Sequence, residues 1–215
     1  MNQLPELADR IREQFEALTA ARDKALTQTR TLTRHCAHAI RAVHREERQN
    51  AQEELDAAQQ IVNGICAALK EDYPSLYFAG YTQDALKEYA EARIVYALVD
   101  DLPLPTPEEL DLEPATYLRG LAEAVGELRR RVLDILRGGH SDEAERLLSH
   151  MDEIYNVLVT MDYPDAVTYG LRRQTDISRS IIERTRGDIT LSFRQQQLEQ
   201  TIREAEENIL NNEEF

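Results

Sequence analysis

The sequence is poor in the residues that interrupt helices and in those that build cross-linked or metal-bound folds. Its 215 residues include 8 Gly, 7 Pro, 2 Cys and no Trp. Cys36 and Cys66 stand far apart and outside any Cys-x-x-Cys or His-rich pattern, which argues against a disulfide framework and a structural zinc site. No apolar run approaches the roughly 20 residues that a membrane-spanning helix needs. We therefore expect a soluble globular protein with no membrane partner, and the acidic, polar start of the chain predicts a cytoplasmic location.

Lysine is also scarce. Only Lys24, Lys70 and Lys87 occur among 25 Lys+Arg, whereas Asp+Glu number 40, for a formal net charge of −15. A surface rich in carboxylates and poor in lysine is typical of proteins that stay soluble in concentrated salt. A halophilic source is one interpretation of this composition, and an ordinary acidic cytosolic protein is the other.

The pattern of apolar residues is helical throughout. Leu7, Ile11, Phe15 and Leu18 recur at three- and four-residue spacing, and no segment shows convincing strand alternation. Gly and Pro predict breaks at residues 73–74, 100–114, 138–139 and 163–164, and an interruption of the last helix near Gly170 or Gly187. We predict an all-α fold, a six- to seven-helix bundle with a long N-terminal helix, forming a single domain over residues 1–215.

The local charge near the end of the first helical region is positive. At about 100° per residue, Arg30, Arg34, Arg41, Arg45 and Arg48 fall within an arc of about 60°, along roughly 27 Å of helix. Five guanidinium groups on one face could follow the phosphates of a single nucleic-acid strand, with His44 and His38 at the edges of the face. The alternative is that these arginines pair with the abundant acids of the protein. A second basic stretch lies at residues 172–186.

Two pairs of glutamates occur among apolar residues. Glu88 and Glu91 are three residues apart, and Glu123 and Glu127 are four apart, so each pair shares a helix face. Carboxylates on facing helices form sites for hard cations such as Mg²⁺ or Mn²⁺. The alternative is that Glu88 and Glu91 are solvated or paired with Lys87 or Arg93.

The sequence resembles the translin family over nearly its whole length. The residues that carry the resemblance are the stretches 21–26, 39–45, 88–92, 117–130 and 154–156, together with Arg30 and Arg34. The most specific of them is Tyr-Leu-x-Gly-Leu…Gly-Glu-Leu-x-Arg in residues 117–130. The resemblance implies a seven-helix protomer that assembles into a hollow homo-octamer and binds single-stranded RNA or DNA.

One branch of that family, translin-associated factor X, is a Mg²⁺-dependent endoribonuclease, and the resemblance to it is incomplete. Its Glu-Tyr-x-Glu-Ala motif is matched by Glu88 and Glu91, which would be catalytic residues and metal ligands. An aspartate that the branch uses 29 residues after the Gly-Glu-Leu glutamate is replaced by Asn156. An amide oxygen can bind Mg²⁺ but cannot act as a base. Asp152, one turn earlier, and Glu127 or Glu123 are the candidates to complete the metal site.

Three functions follow from these residues. In the first, a homo-oligomer binds single-stranded nucleic acid through Arg30, Arg34, Arg41, His44, Arg45 and Arg48. In the second, the protein also cleaves RNA with Mg²⁺ or Mn²⁺ at Glu88, Glu91 and Asn156, with Glu127 and Asp152 as further ligands. In the third, the arginines form ion pairs between subunits, and the protein is a scaffold without a role in nucleic-acid binding.

Overall fold

The chain is helical along almost its entire length in a computed structural model that describes residues 3–213, with side-chain exposure through residue 209. The helices are α1 (Gln3–His44), α2 (Arg48–Leu69), α3 (Pro74–Tyr77), α4 (Gly80–Val99), α5 (Pro114–Leu136), α6 (Asp142–Leu158), α7 (Asp165–Thr168) and α8 (Leu171–Glu213). Six helices are long, two have four residues each, and no strand occurs in this part of the chain. The all-α prediction with a long N-terminal helix is confirmed. None of the helices described is long and apolar enough to cross a membrane.

The chain divides into two compact units, Met1–Leu121 and Ala122–Phe215, and the division falls within α5. In the first unit, α1 packs against both α2 and α4. Its core contains fully buried side chains from all three helices, including Leu32, Leu55, Ile65, Leu86 and Ile94. The second unit contains the packing of α6 against α8. Leu147, Met151 and Leu158 on α6 and Leu171, Ile182 and Ile189 on α8 are buried there.

The turn between α1 and α2 is built without glycine or proline. The N–H of Glu47 donates to the carbonyl oxygen of Ala42 at 2.9 Å, and that of Glu46 donates to Val43 at 3.0 Å. Glu46 adopts a left-handed conformation, with φ of 62°. This is the hydrogen-bond pattern of a Schellman motif, with Glu46 in the place that glycine usually takes. The turn lets α2 fold back onto α1, and the apolar faces of the two helices become buried.

The last helix begins after another left-handed turn. Tyr169 and Gly170 have φ of 50° and 88°. The N–H groups of both residues donate to Asp165, to its backbone oxygen and its Oδ1 respectively, each at 2.8 Å. The predicted interruption near Gly170 is therefore present, whereas α8 continues through Gly187 without a break.

Candidate nucleic-acid interface and carboxylate pair

The solvent face of α1 carries a row of exposed arginines. Arg30, Arg34 and Arg41 are exposed and lie opposite the buried residues of the helix, which include Leu32 and Cys36. Helical geometry places the three within about 40° of one another along about 17 Å. Their guanidinium groups form no ion pair or hydrogen bond among the described residues, and the same holds for exposed Arg45 just after the helix. We call these four residues the α1 arginine row.

The predicted single-helix face of five arginines is wrong at its C-terminal end. Because α1 ends at His44, Arg45 lies in the turn and Arg48 is the first residue of α2. Arg48 is exposed, and its Nε donates to Asp100 Oδ1 at 3.1 Å. The helix ends early because burial of α2 against α1 requires a reversal of the chain at residues 45–47.

The histidines of α1 lie in different surroundings from the arginine row. His44 is half-buried at the C-terminal end of α1. His35 Nδ1 lies 2.6 Å from Glu54 Oε2 on α2, and His38 Nδ1 lies 3.3 Å from Glu54 Oε1. Burial raises the pKa of the Glu54 carboxyl, but the hydrogen bonds from the two histidines outweigh burial, and the pKa is lowered overall. His38 therefore joins α1 to α2 from the edge of the face that carries the arginine row.

The two glutamates of α4 lie close together in the first unit. Each offers a carboxylate oxygen within 4.8 Å of the other. Glu91 is only 8% exposed and Glu88 is half-buried. Lys87, also 8% exposed, places its Nζ 3.1 Å from Glu88 Oε1. The predicted shared face is thus present, and the alternative of a contact between Glu88 and Lys87 is present as well.

The negative charge of this pair acts on the interior of the first unit. Burial raises the pKa of the Cys36 thiol on α1 far above its ordinary value, and the charges of Glu88 and Glu91 raise it further. Both carboxylates therefore act on a buried group of the neighbouring helix, where charge is screened less than at the surface. A cation bound at this pair would reduce the cost of keeping two carboxylates close together.

The N-terminal part of α5 approaches α4 closely beside the glutamate pair. A Cβ atom at Gly120 would lie 2.6 Å from Ala90 Cβ and 2.9 Å from the carbonyl oxygen of Lys87, so only glycine fits. An ion pair between Arg119 and Asp84, with a distance of 2.7 Å, joins the same two helices. Gly120, the first glycine of the motif in residues 117–130, therefore has a packing role. It lets the α5 backbone come close to α4 beside the glutamate pair.

The remaining predicted ligands belong to the second unit. Glu123 is half-buried and accepts a hydrogen bond from Gln174 Nε2 at 3.0 Å. Glu127 is also half-buried, and its Oε2 lies 3.8 Å from Arg130 Nη1. Both glutamates follow Gly120 along α5, and Glu123 comes first, at a distance of three residues.

Asp152 and Asn156 share a face of α6. Arg186 Nη2 lies 2.7 Å from Asp152 Oδ1 and 2.8 Å from Oδ2, so an arginine already neutralises this carboxylate. Asn156 is exposed. The predicted replacement of the missing aspartate by Asp152 would require release of Arg186, which spacing along the helix could not reveal.

The second basic stretch differs from the α1 arginine row because most of its members have acidic partners. Arg179 Nε lies 3.0 Å from Glu183 Oε1, and Arg172 Nη2 lies 3.8 Å from Asp162 Oδ1. Arg186 binds Asp152 as described above. Charge in this stretch is therefore largely neutralised within the second unit.

Known proteins resemble the chain in sequence and in structure. No family model matches the chain. Over 176 residues, 79% of the chain and 75% of the relative, it is 34% identical to an uncharacterized protein of Methanocaldococcus jannaschii. A crystal structure of AfC3PO, a C3PO protein of the translin family, matches with a TM-score of 0.79 at 32% identity, covering 86% of this chain and 95% of that one. The chain belongs to the translin family.

Other translin-family structures agree with this assignment. AfC3PO in complex with duplex RNA matches with the same TM-score at 34% identity, again covering 86% of this chain and 95% of that one. A structure of apo-NeC3PO has a TM-score of 0.78 at 22% identity, with 86% and 96% of the two chains covered, and shows that the fold is shared. The resemblance in the sequence is therefore confirmed, together with the fold that it implies.

Proposed function

We propose that this translin-family protein binds RNA through the α1 arginine row, Arg30, Arg34, Arg41 and Arg45. The observation that carries the proposal is that these four guanidinium groups are exposed and without acidic partners in the described part of a chain with a net charge of −15. No acidic residue occurs between Asp23 and Glu46. The solved complex of a relative with duplex RNA supports the same conclusion.

The positive charge of the α1 arginine row favours binding of a nucleic-acid backbone. Arginine offers a planar set of donors that matches phosphate oxygens, and it remains charged at any physiological pH. A row of such groups attracts the nucleic-acid backbone, whereas carboxylates elsewhere repel it, so that the ligand is confined to one face. We propose single-stranded RNA or DNA as the ligand, and the duplex is the comparison that the test should include.

The scaffold alternative makes a different demand on the same residues. It needs the arginines to pair with acidic residues of another copy, which would leave them closed to RNA. A gel shift with single-stranded RNA therefore separates the binding function from a purely structural role.

We propose further that the protein forms a homo-oligomer, with an octamer as the expected state. Apolar side chains recur along the C-terminal half of α8 at spacings of seven, four and seven residues: Leu191, Leu198, Ile202 and Ile209. All four are between 49% and 68% exposed in the single chain. They fall within about 40° on one helix face, so that burial against another copy would remove a continuous apolar stripe from water.

A second candidate function is metal-dependent cleavage of RNA, which the α4 glutamate pair supports. Two carboxylates within 4.8 Å, one of them buried, are a suitable donor set for Mg²⁺ or Mn²⁺. We propose that Glu88 and Glu91 hold the ion. Such an ion, when bound, lowers the pKa of a bound water and neutralises charge on a phosphate.

The chain itself would supply positioning and proton transfer. Glu88 and Glu91 would hold the cation, and one carboxylate would orient the water and accept its proton. Asn156 can contribute an amide oxygen but cannot accept a proton in this way. The arginine row would bind the phosphates that flank the cleaved bond.

One assay separates the three functions. The purified protein is incubated with end-labelled single-stranded RNA in Mg²⁺, Mn²⁺ or EDTA, and cleavage and gel shift are measured on the same samples. Metal-dependent cuts support the nuclease, a shift without cuts supports a binding protein, and neither result would favour the scaffold. A duplex of the same sequence is tested in parallel.

The matched variants are two double substitutions at equal spacing. Glu88→Gln with Glu91→Gln should abolish cleavage and Mn²⁺ binding, measured by the electron paramagnetic resonance of free Mn²⁺, and should leave the gel shift intact. Glu13→Gln with Glu16→Gln removes an exposed pair on α1 and should leave cleavage, Mn²⁺ binding and the gel shift unchanged. Equal loss in both variants would contradict the assignment of the metal site.

A further inference from the structure

The second unit contains a cavity that neither proposed function uses. Its volume is about 490 Å³, within the range of about 300–1,000 Å³ that is usual for small-ligand sites. Its wall is formed by the first turns of α8 and by residues of α5. The lining side chains that matter here are Tyr169, Arg173, Gln174, Ile177, Ile181 and Glu123.

Tyr169 occupies a backbone conformation that does not favour tyrosine. Its φ of 50° lies in the left-handed region, which bulky side chains rarely adopt and which asparagine or glycine accepts more easily. The two hydrogen bonds to Asp165 hold this conformation. The ring gains little from packing, since Tyr169 is 57% exposed. Strained residues of this kind concentrate at binding sites.

Gln174 presents an unsatisfied acceptor in the same wall. Its Nε2 donates to Glu123 Oε1 at 3.0 Å, which fixes the orientation of the amide because a carboxylate can only accept. Its Oε1 is buried and has no hydrogen-bond partner in the described part of the chain. A buried acceptor without a donor is costly, so a ligand that carries an N–H group would remove that cost.

The third feature is an exposed arginine beside two isoleucines. Arg173 is exposed and forms no ion pair among the described residues. Ile177 and Ile181 follow it along α8. A flat ring with N–H groups could stack on the aromatic side chain, pack against the isoleucines and donate a hydrogen bond to the amide oxygen. An anion attached to the ring would pair with the guanidinium group.

We infer that this cavity binds one unpaired base of the RNA, with the base stacked on Tyr169, its N–H donated to Gln174 Oε1, and its phosphate at Arg173. The inference rests on the proposed function, since the base belongs to the RNA that the α1 arginine row binds. The cavity therefore selects single-stranded over fully paired RNA.

The test uses the full chain in EDTA, so that no cleavage occurs. The probe is single-stranded RNA of random sequence in which 5-iodouridine replaces uridine. Binding is measured by fluorescence anisotropy, and ultraviolet crosslinks are mapped by mass spectrometry. We expect a crosslink at Tyr169 in the wild type. Tyr169→Asn, which suits the left-handed backbone, should lose that crosslink and bind about tenfold more weakly. Tyr169→Phe should retain both.

The matched control is Tyr163, which is 63% exposed and is not among the residues that line the cavity. Tyr163→Asn should leave affinity and crosslinking unchanged. RNA binding with no crosslink at Tyr169, or equal affinities of the two Asn variants, would overturn this inference alone. A wild type that binds no RNA would overturn the proposed function and this inference together.

Discussion

The salt dependence of RNA affinity should report directly on the α1 arginine row. Each phosphate contact releases counterions, and for single strands the slope of log affinity against log salt is about −0.7 per contact. If each of the four arginines of the row contacts one phosphate, the slope is about −2.8 per protomer. Affinity should then fall about fiftyfold between about 50 mM and 200 mM salt.

The perturbation is Arg34→Gln combined with Arg41→Gln. Both side chains are exposed and unpaired within the described chain, so that folding should be unaffected. With two contacts left, the slope should halve to about −1.4, and the same change of salt should weaken binding only about sevenfold. Fluorescence anisotropy with labelled single-stranded RNA measures both slopes, in EDTA and at a protein concentration at which the assembly state is constant.

The control removes two other exposed arginines. Arg172→Gln with Arg179→Gln alters side chains that already have acidic partners, at 3.8 Å and 3.0 Å. This variant should keep the wild-type slope. The reasoning is refuted if the α1 variant keeps the wild-type slope, or if the control variant lowers it equally.

Three further predictions concern packing, pH and assembly. Gly120→Ala should lower the free energy of unfolding in urea by about 1–3 kcal/mol, because the new Cβ would lie 2.6 Å from Ala90 Cβ. A Cβ at Gly126 on the same helix meets nothing within 4 Å, so Gly126→Ala should raise that free energy by about 0.5–1 kcal/mol. Equal effects of the two substitutions would be inconsistent with the close contact at Gly120. Because the pKa of Glu54 is lowered in the folded protein, its ionised carboxylate stabilises the fold at pH values above the ordinary carboxyl pKa. The difference in unfolding free energy between wild type and Glu54→Gln should therefore be present at neutral pH and vanish as the pH falls through the lowered pKa. A difference that does not change with pH would argue against the histidine contacts. Leu198→Glu with Ile202→Glu should reduce the mass measured by light scattering if the α8 stripe joins copies, and an unchanged mass would exclude that role.

The helical content and most of the breaks follow from composition. Proline and glycine near residues 73–74, 138–139 and 163–164 do separate helices. Gly187 does not interrupt α8, because a single glycine costs only about 1 kcal/mol in a helix and the residues around it are helical. Gly170 does mark a break, since Tyr169 and Gly170 both adopt left-handed conformations there.

The turn after α1 could not be located from local sequence. Residues 45–48 read Arg-Glu-Glu-Arg, which are good helix formers, and Glu46 takes the left-handed conformation only because α2 must pack against α1. For this reason Arg45 and Arg48 lie outside α1, contrary to the prediction from their spacing. The glutamate pair was predictable because Glu88 and Glu91 are neighbours on one helix, where a spacing of three is sufficient.

Contacts between residues that are far apart in the sequence could not be predicted from spacing. The contacts of His35 and His38 with Glu54 join residues on two helices, and the contact of Arg186 Nη2 with both carboxylate oxygens of Asp152 spans 34 positions. Both depend on which helix faces meet. These contacts decide which charged groups remain available for a ligand, and they distinguish the α1 arginine row from the neutralised arginines of α8.

The most direct test of the account is the RNA affinity of the variant Arg41→Glu with Arg45→Glu. Anisotropy titrations of wild type and variant with labelled single-stranded RNA are made in EDTA, with thermal unfolding followed by circular dichroism. We predict that the wild type binds, and that the variant unfolds at the same temperature but has lost most of its affinity. Equal affinity of the two proteins would contradict the assignment of the α1 arginine row as the RNA-binding surface.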